Sequence, residues 1–162
     1  MSIDYGCGTG ELLRYLPKNS IGLEVNIKTV EYCEKEGFKV FKIAKTLPSE
    51  TLKPFIGKPF KTIIFNHILE HIPKPELFLN NLFGFLSGTD FSRLIVVSPG
   101  KRGFFSDKTH EVFIDKNWFK INNFYSYPNV KTVKSYHFPI NFLSAGNFFT
   151  HNEWHLILDL KK

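Results

Sequence analysis

Residues 63–75 read IIFNHILEHIPKP and place His67, Glu70 and His71 in an H-x-x-E-H string. That is the spacing of inverted zinc peptidases, in which two imidazoles one helical turn apart share a metal beside a carboxylate. A second chemical string opens the chain, Asp4-Tyr5-Gly6-Cys7-Gly8-Thr9-Gly10, with three alternating glycines behind a carboxylate. Glycine lets the backbone turn tightly and touch a ligand. A third candidate is Glu24, which closes the apolar run IGLEVN. At a strand end its carboxylate can accept hydrogen bonds from ribose hydroxyls. The fourth is PGKRGFFSDKTHEVF, which carries Asp107, His110 and Glu111 as candidate bases. Lys101, Arg102 and Lys108 in the same stretch are cations suited to an acceptor phosphate or carboxylate, although solvated loop charge is the simpler account.

These groups need elements to hold them. Short apolar runs alternate with helix-like segments. SIDYG reads as a strand entering the glycine turn, and ELLRYL as a short helix ended near Pro17. IGLEVN is a second strand, followed by a helix over IKTVEYCEKE with Asn26 as its cap and Gly37 as its stop. FKVFKIA alternates as a third strand, and KTIIFN is a buried fourth. Pro75 suits the first turn of a helix over PELFLNNLFGFL. RLIVVS is a fifth strand broken by PGKRG, Asp115 is placed to cap KNWFKINNF, and NVKTVKSYHF and EWHLILDL are late strands. Strand–helix alternation implies parallel βαβ units with helices on both sheet faces. The last two strands lack a helix between them and predict an antiparallel pair at the sheet edge. One domain over residues 1–162 is expected.

Whole-chain numbers narrow the classes. The 162 residues carry 21 Lys and Arg against 15 Asp and Glu, a net charge of +6. The lysines are scattered with no long basic stripe, so a solvated basic surface is expected rather than a nucleic-acid footprint. No apolar run approaches the ~20 residues that span a bilayer. No secretory signal is visible, and Cys7 and Cys33 make no disulfide framework, so a cytoplasmic location is expected.

The context of the histidines argues against the peptidase site. Their string leaves a buried strand directly, and Pro73 disfavours helical geometry at Ile72, so no stable helix holds both imidazoles. No metal is expected there. The glycine spacing also departs from the dinucleotide fingerprint, whose third glycine would fall at Glu11. Asp4 and Glu11 would oppose a pyrophosphate, and Asp4 with Glu24 suits a nucleoside that carries positive charge.

With D-x-G-C-G-x-G, GLEVN and HILEHIPKP in this order, the chain resembles class I S-adenosylmethionine-dependent methyltransferases that act on small molecules. The resemblance extends over nearly the whole chain. It implies a Rossmann-like three-layer α/β/α sandwich with a mostly parallel seven-stranded sheet, order 3-2-1-4-5-7-6, and an antiparallel strand at the edge. It implies S-adenosyl-L-methionine as cofactor and S-adenosyl-L-homocysteine as product. Gly6, Cys7, Gly8 and Gly10 would line the cofactor, Asp4 would face its amino-acid end, and Glu24 with Val25 would hold the ribose. Ala44 stands where an acidic residue usually meets the adenine, leaving that ring to backbone groups. Asn66 and His67 would border the reactive methyl, with His110 or His67 as the base. Glu70 and His71 are expected to hold their loop against a neighbouring helix.

An N/D-P-P-Y/F motif, common where amino nitrogens are methylated, is replaced here by FNHI. The expected acceptor is therefore a small or sugar-linked molecule methylated at oxygen. The first strand starts at residue 2, so the cofactor's lid is expected from a second copy, another partner or the loop after the fifth strand, or else is missing. The rival readings are a cofactor-binding scaffold of the same fold and an NAD-dependent oxidoreductase.

Overall fold

Every residue of β1 (Ser2–Tyr5) and β2 (Ile21–Glu24) is buried, the mark of parallel strands covered on both faces. The computed structural model describes residues 1–161. Between these strands the glycine turn runs into a single 3-10 turn, Leu12–Arg14. The short helix predicted over ELLRYL is thus cut to one turn, because none of its residues is fully buried and Pro17 stops propagation. Helix α1 (Ile27–Lys35) follows β2, and Asn26 Oδ1 accepts from the Lys28 N–H at 3.0 Å. β3 (Val40–Lys42) and a short α2 (Pro48–Leu52) come next. β4 (Thr62–Asn66) then leads through a 3-10 turn at Leu69–His71 into α3 (Pro75–Leu86). β5 (Arg93–Pro99) is followed by α4 (Lys101–Ser106) and α5 (Lys116–Ile121). The chain closes with β6 (Val130–Phe138) and β7 (Glu153–Leu160).

The seven strands form one sheet in the order β3-β2-β1-β4-β5-β7-β6. β1 to β5 pair in parallel. β7 runs antiparallel between β5 and β6, one place in from the edge. The expected mostly parallel α/β architecture and strand order are therefore present. α3 presents Leu79, Leu82, Phe83 and Leu86 to the main core, where truncating one such residue costs about 2–5 kcal/mol. α1 instead packs Val30 and Cys33 with Cys7 and Val40 in a small cluster beneath the glycine turn. Among the described residues no helix is long and apolar enough to cross a membrane.

Candidate active site

The carboxyl ends of β1 to β4 open onto two adjoining cavities of about 390 and 340 Å³, which share Gly6, Glu24, Ile68 and His71. The larger has apolar walls that include Tyr5, Val25, Ala44 and Phe78. The smaller is more polar and is bordered by Asp4, Cys7, Gly8, Asn66 and His67. Both lie where ligands of open α/β sheets bind.

The glycine turn is held to β2 by the Gly6 and Cys7 N–H groups, which both donate to the Leu23 carbonyl, at 2.7 and 3.1 Å. Gly6 has φ +77°, and a Cβ there would strike the Ile68 side chain. Gly8 has φ +50° but open space above it. Its bare backbone is therefore a surface on which a ligand can lie at contact distance.

Glu24 is locked by its own loop. Its Oε1 accepts from the Val25 and Asn26 N–H groups, each at 2.8 Å, and its Oε2 accepts from Gly8 N–H at 3.1 Å. A carboxylate has about four lone-pair sites, so Oε2 keeps one for a hydroxyl. A second hydroxyl would compete with Gly8. Asp4 is 1% exposed, and its Oδ1 is buried without a hydrogen-bond partner. Desolvation, and then the Glu24 charge, push its carboxyl up to about 7. A cationic donor would satisfy a buried orphan acceptor of this kind.

The H-x-x-E-H residues part company. His67 takes a left-handed backbone, φ 55°, so the chain leaves β4 in a sharp turn. Its Nε2–H donates to Glu153 Oε1 at 2.9 Å, and its Nδ1 lies 3.3 Å from Glu70 Oε1. The hydrogen bond to Glu153, then the contact with Glu70, raise its pKa to about 9 against the opposing effect of burial. Burial alone would raise Glu153, but contacts with His155 and His67 hold it down to about 2. At neutral pH His67 is thus an imidazolium with both nitrogens engaged. His71 points elsewhere, with Nδ1 3.3 Å from the Thr109 carbonyl. Its ring centroid is 4.7 Å from that of His110. His110 donates from Nδ1 to the Phe104 carbonyl at 2.7 Å, which leaves Nε2 with its lone pair. Glu70 holds the loop through its carbonyl, which accepts from Glu111 N–H at 2.7 Å.

Of the residues read from the sequence, Asp4, Gly6, Cys7, Gly8, Glu24, Val25, Ala44, Asn66 and His67 border the cavities. Gly10 does not. Its N–H donates back to Cys7 at 2.9 Å, and a Cβ there would meet Phe38 at 2.9 Å, so it shapes the turn from behind. His110 is also not among the cavity-lining residues, and its ring stands beside that of His71 with 4.7 Å between centroids. Tyr5, Ile68, Pro73 and Phe78 were missed as wall residues. Their apolar side chains carry no site signal, although Tyr5 lies inside the glycine motif itself.

The family described as "Methyltransferase domain" matches residues 2–126. Among solved structures, a SAM dependent methyltransferase from Archaeoglobus fulgidus gives a TM-score of 0.72 at 21% identity, covering 98% of this chain and 85% of that one. The methyltransferase domain of bacterial CtHen1-C gives 0.70 at 19% identity, covering 99% of this chain and 89% of that one. The plantazolicin methyltransferase BpumL, solved in complex with SAH, gives 0.63 at 16% identity, covering 99% of this chain and 76% of that one. No curated protein matches the sequence. At these identities the structural likeness is one of fold.

Proposed function

The chain belongs to the methyltransferase domain family, and from that premise we propose that it moves a methyl group from S-adenosyl-L-methionine to an oxygen of a small or sugar-linked acceptor. The observation that carries this reading is the pair of carboxylates around the bare turn. Glu24 retains an acceptor site for a hydroxyl, and Asp4 is a buried carboxylate in want of a cation. A hydroxylated nucleoside with a charged amino-acid tail fits that set, and a pyrophosphate does not.

When bound, the cofactor supplies an electrophilic methyl on a sulfonium, whose thioether leaves without protonation. The protein's work is alignment and exclusion of water. Gly8 lets the ligand lie against the backbone, Glu24 fixes the sugar, and Asp4 orients the charged tail. Tyr5, Ala44 and Phe78 form the apolar wall for the base, with no acidic side chain at Ala44. His67 is assigned a positioning role, because both of its ring nitrogens are engaged and it has no lone pair to take a proton. Removal of the acceptor's proton falls to the His71–His110 side of the cleft. The stretch around Thr109–Val112 is tied to the β4 turn through the Glu70 carbonyl. The lack of any long apolar helix among the described residues is consistent with a cytoplasmic enzyme.

Calorimetry with S-adenosylhomocysteine and with NAD tests the proposal. Binding of S-adenosylhomocysteine that is lost in Glu24→Ala is the expected result. Binding of NAD alone assigns the fold to hydride chemistry, and binding of neither leaves a scaffold.

A further inference from the structure

Glu70 and His71, from the turn after β4, meet His110, from the segment after α4. One carboxylate oxygen and one ring nitrogen from each histidine lie within 4.8 Å of one another. We propose that these three residues bind a divalent first-row transition cation, and that the cation holds the acceptor hydroxyl.

Glu70 is fully buried, and neither carboxylate oxygen has a hydrogen-bond partner. His67 Nδ1 stands 3.3 Å from Oε1 as an ion-pair neighbour, so Oε2 is the oxygen left wholly without a partner. A carboxylate is not buried in that state without cost. Both histidines are oriented from behind. His110 Nδ1–H donates to the Phe104 carbonyl at 2.7 Å, and His71 Nδ1 faces the carbonyl and Oγ1 of Thr109 at 3.3 and 3.2 Å. With Nδ1 committed to these oxygens, each ring presents the lone pair of Nε2, which is how proteins fix the tautomer of a metal-binding histidine. The two segments are clamped together by the Glu111 and Val112 N–H groups, which both donate to the Glu70 carbonyl, at 2.7 and 3.3 Å. The pair His67 and His71 is a different grouping, and His67 is already spent on Glu153.

Two imidazoles and one carboxylate favour a transition cation such as zinc, cobalt or iron over magnesium or calcium. Three protein ligands leave coordination positions open. His71 borders both cavities, so those positions adjoin the place where an acceptor meets the cofactor. A hydroxyl bound to the cation gives up its proton more readily. The proton passes to water, the oxygen forms its bond to the methyl carbon, and the carbon–sulfur bond breaks with its electron pair kept by sulfur. This role rests on the methyl-transfer reading, and it makes His110 a ligand rather than a base.

Co²⁺ titrated into the full chain, followed by visible absorption and calorimetry, tests the site. The expected result is one Co²⁺ per chain, weakened on the order of tenfold or more in both His110→Ala and Glu70→Gln, with His151→Ala unchanged. No binding to the wild type, or binding that both variants keep, overturns the proposal. If Glu70→Gln does not fold, paramagnetic broadening in the wild type decides instead. Loss of the His71 and His110 ring signals with the His151 signal spared supports the site, and the reverse refutes it. S-adenosylhomocysteine is titrated into the same samples. Its binding without Co²⁺ removes only the metal, whereas Co²⁺ binding without it removes the methyl-transfer reading and the acceptor role together.

Discussion

Asp4 and Glu24 sit on neighbouring parallel strands, β1 and β2, where Asp4 pairs with Gly22 and Tyr5 with Leu23. Glu24 receives three backbone N–H groups, while Asp4 keeps an oxygen with none. The negative charge of the first raises the pKa of the second, in addition to the effect of burial.

That asymmetry predicts an unusual pH dependence. The Asp4 carboxyl ionises near 3.8 when unfolded and near 7 when folded. Its folded form therefore keeps its full stability below pH 3.8 and loses it as the pH rises through 7, by about 4 kcal/mol at about 1.4 kcal/mol per pH unit. Urea unfolding at pH 5 and pH 8 should show about 3 kcal/mol of this loss in the wild type, the part that falls between pH 5 and 7, and little of it in Asp4→Asn. Equal losses in the two proteins would refute it.

The same titration is linked to binding. A cationic ligand favours ionised Asp4, so affinity for S-adenosylhomocysteine should rise from pH 6 to pH 8, by up to about tenfold per pH unit below 7. Calorimetry in buffers of different ionisation enthalpy should register proton release near pH 6.5. Neither effect should survive Asp4→Asn.

Glu24→Gln keeps the shape of the side chain but removes the charge and half of its acceptors. Affinity for S-adenosylhomocysteine is expected to fall on the order of tenfold or more, because hydrogen bonds to charged groups contribute about 1.5–3 kcal/mol. Unchanged affinity would move the sugar to another part of the cleft.

The two glycines of the turn should fail differently. Gly8→Ala carries only the left-handed backbone penalty, about 1–2 kcal/mol. It should still fold, yet lose the ligand, since its new methyl fills the approach surface. Gly6→Ala adds a collision with Ile68 and should lower the unfolding midpoint further. Comparing melting curves with binding separates the two, and equal destabilisation would contradict the account.

Most of the scaffold was legible because its signals are local. β7 alternates buried and half-exposed residues along its length, and α3 starts at Pro75 as its fixed φ demands. Asp115 caps α5 by accepting from Trp118 N–H at 2.8 Å. α2 has only five residues, too few for a helical period to emerge. Pro99, Gly100 and Gly103 punctuate α4, so the sequence predicts a break there. Gly103, however, packs where a Cβ would meet the Thr150 carbonyl at 2.5 Å, so tertiary contact chose glycine there. At the site, Asp4, Gly8 and Glu24 could be read because their strand ends and spacing carry meaning. The approach of His71 to His110 could not. It joins two segments through the fold, and no spacing in the chain encodes it.

The placement of β7 bears on how the molecule assembles. Among the described strands β6 pairs with β7 alone, so it has no seat in the sheet until a segment made after it has docked on β5. During synthesis the sheet must wait with an open flank, and two strands then join together, a long-range closure of the kind that slows folding. Amide exchange in β6 and β7 should accordingly open as one unit, and independent opening of β6 would show that it finds another place to rest.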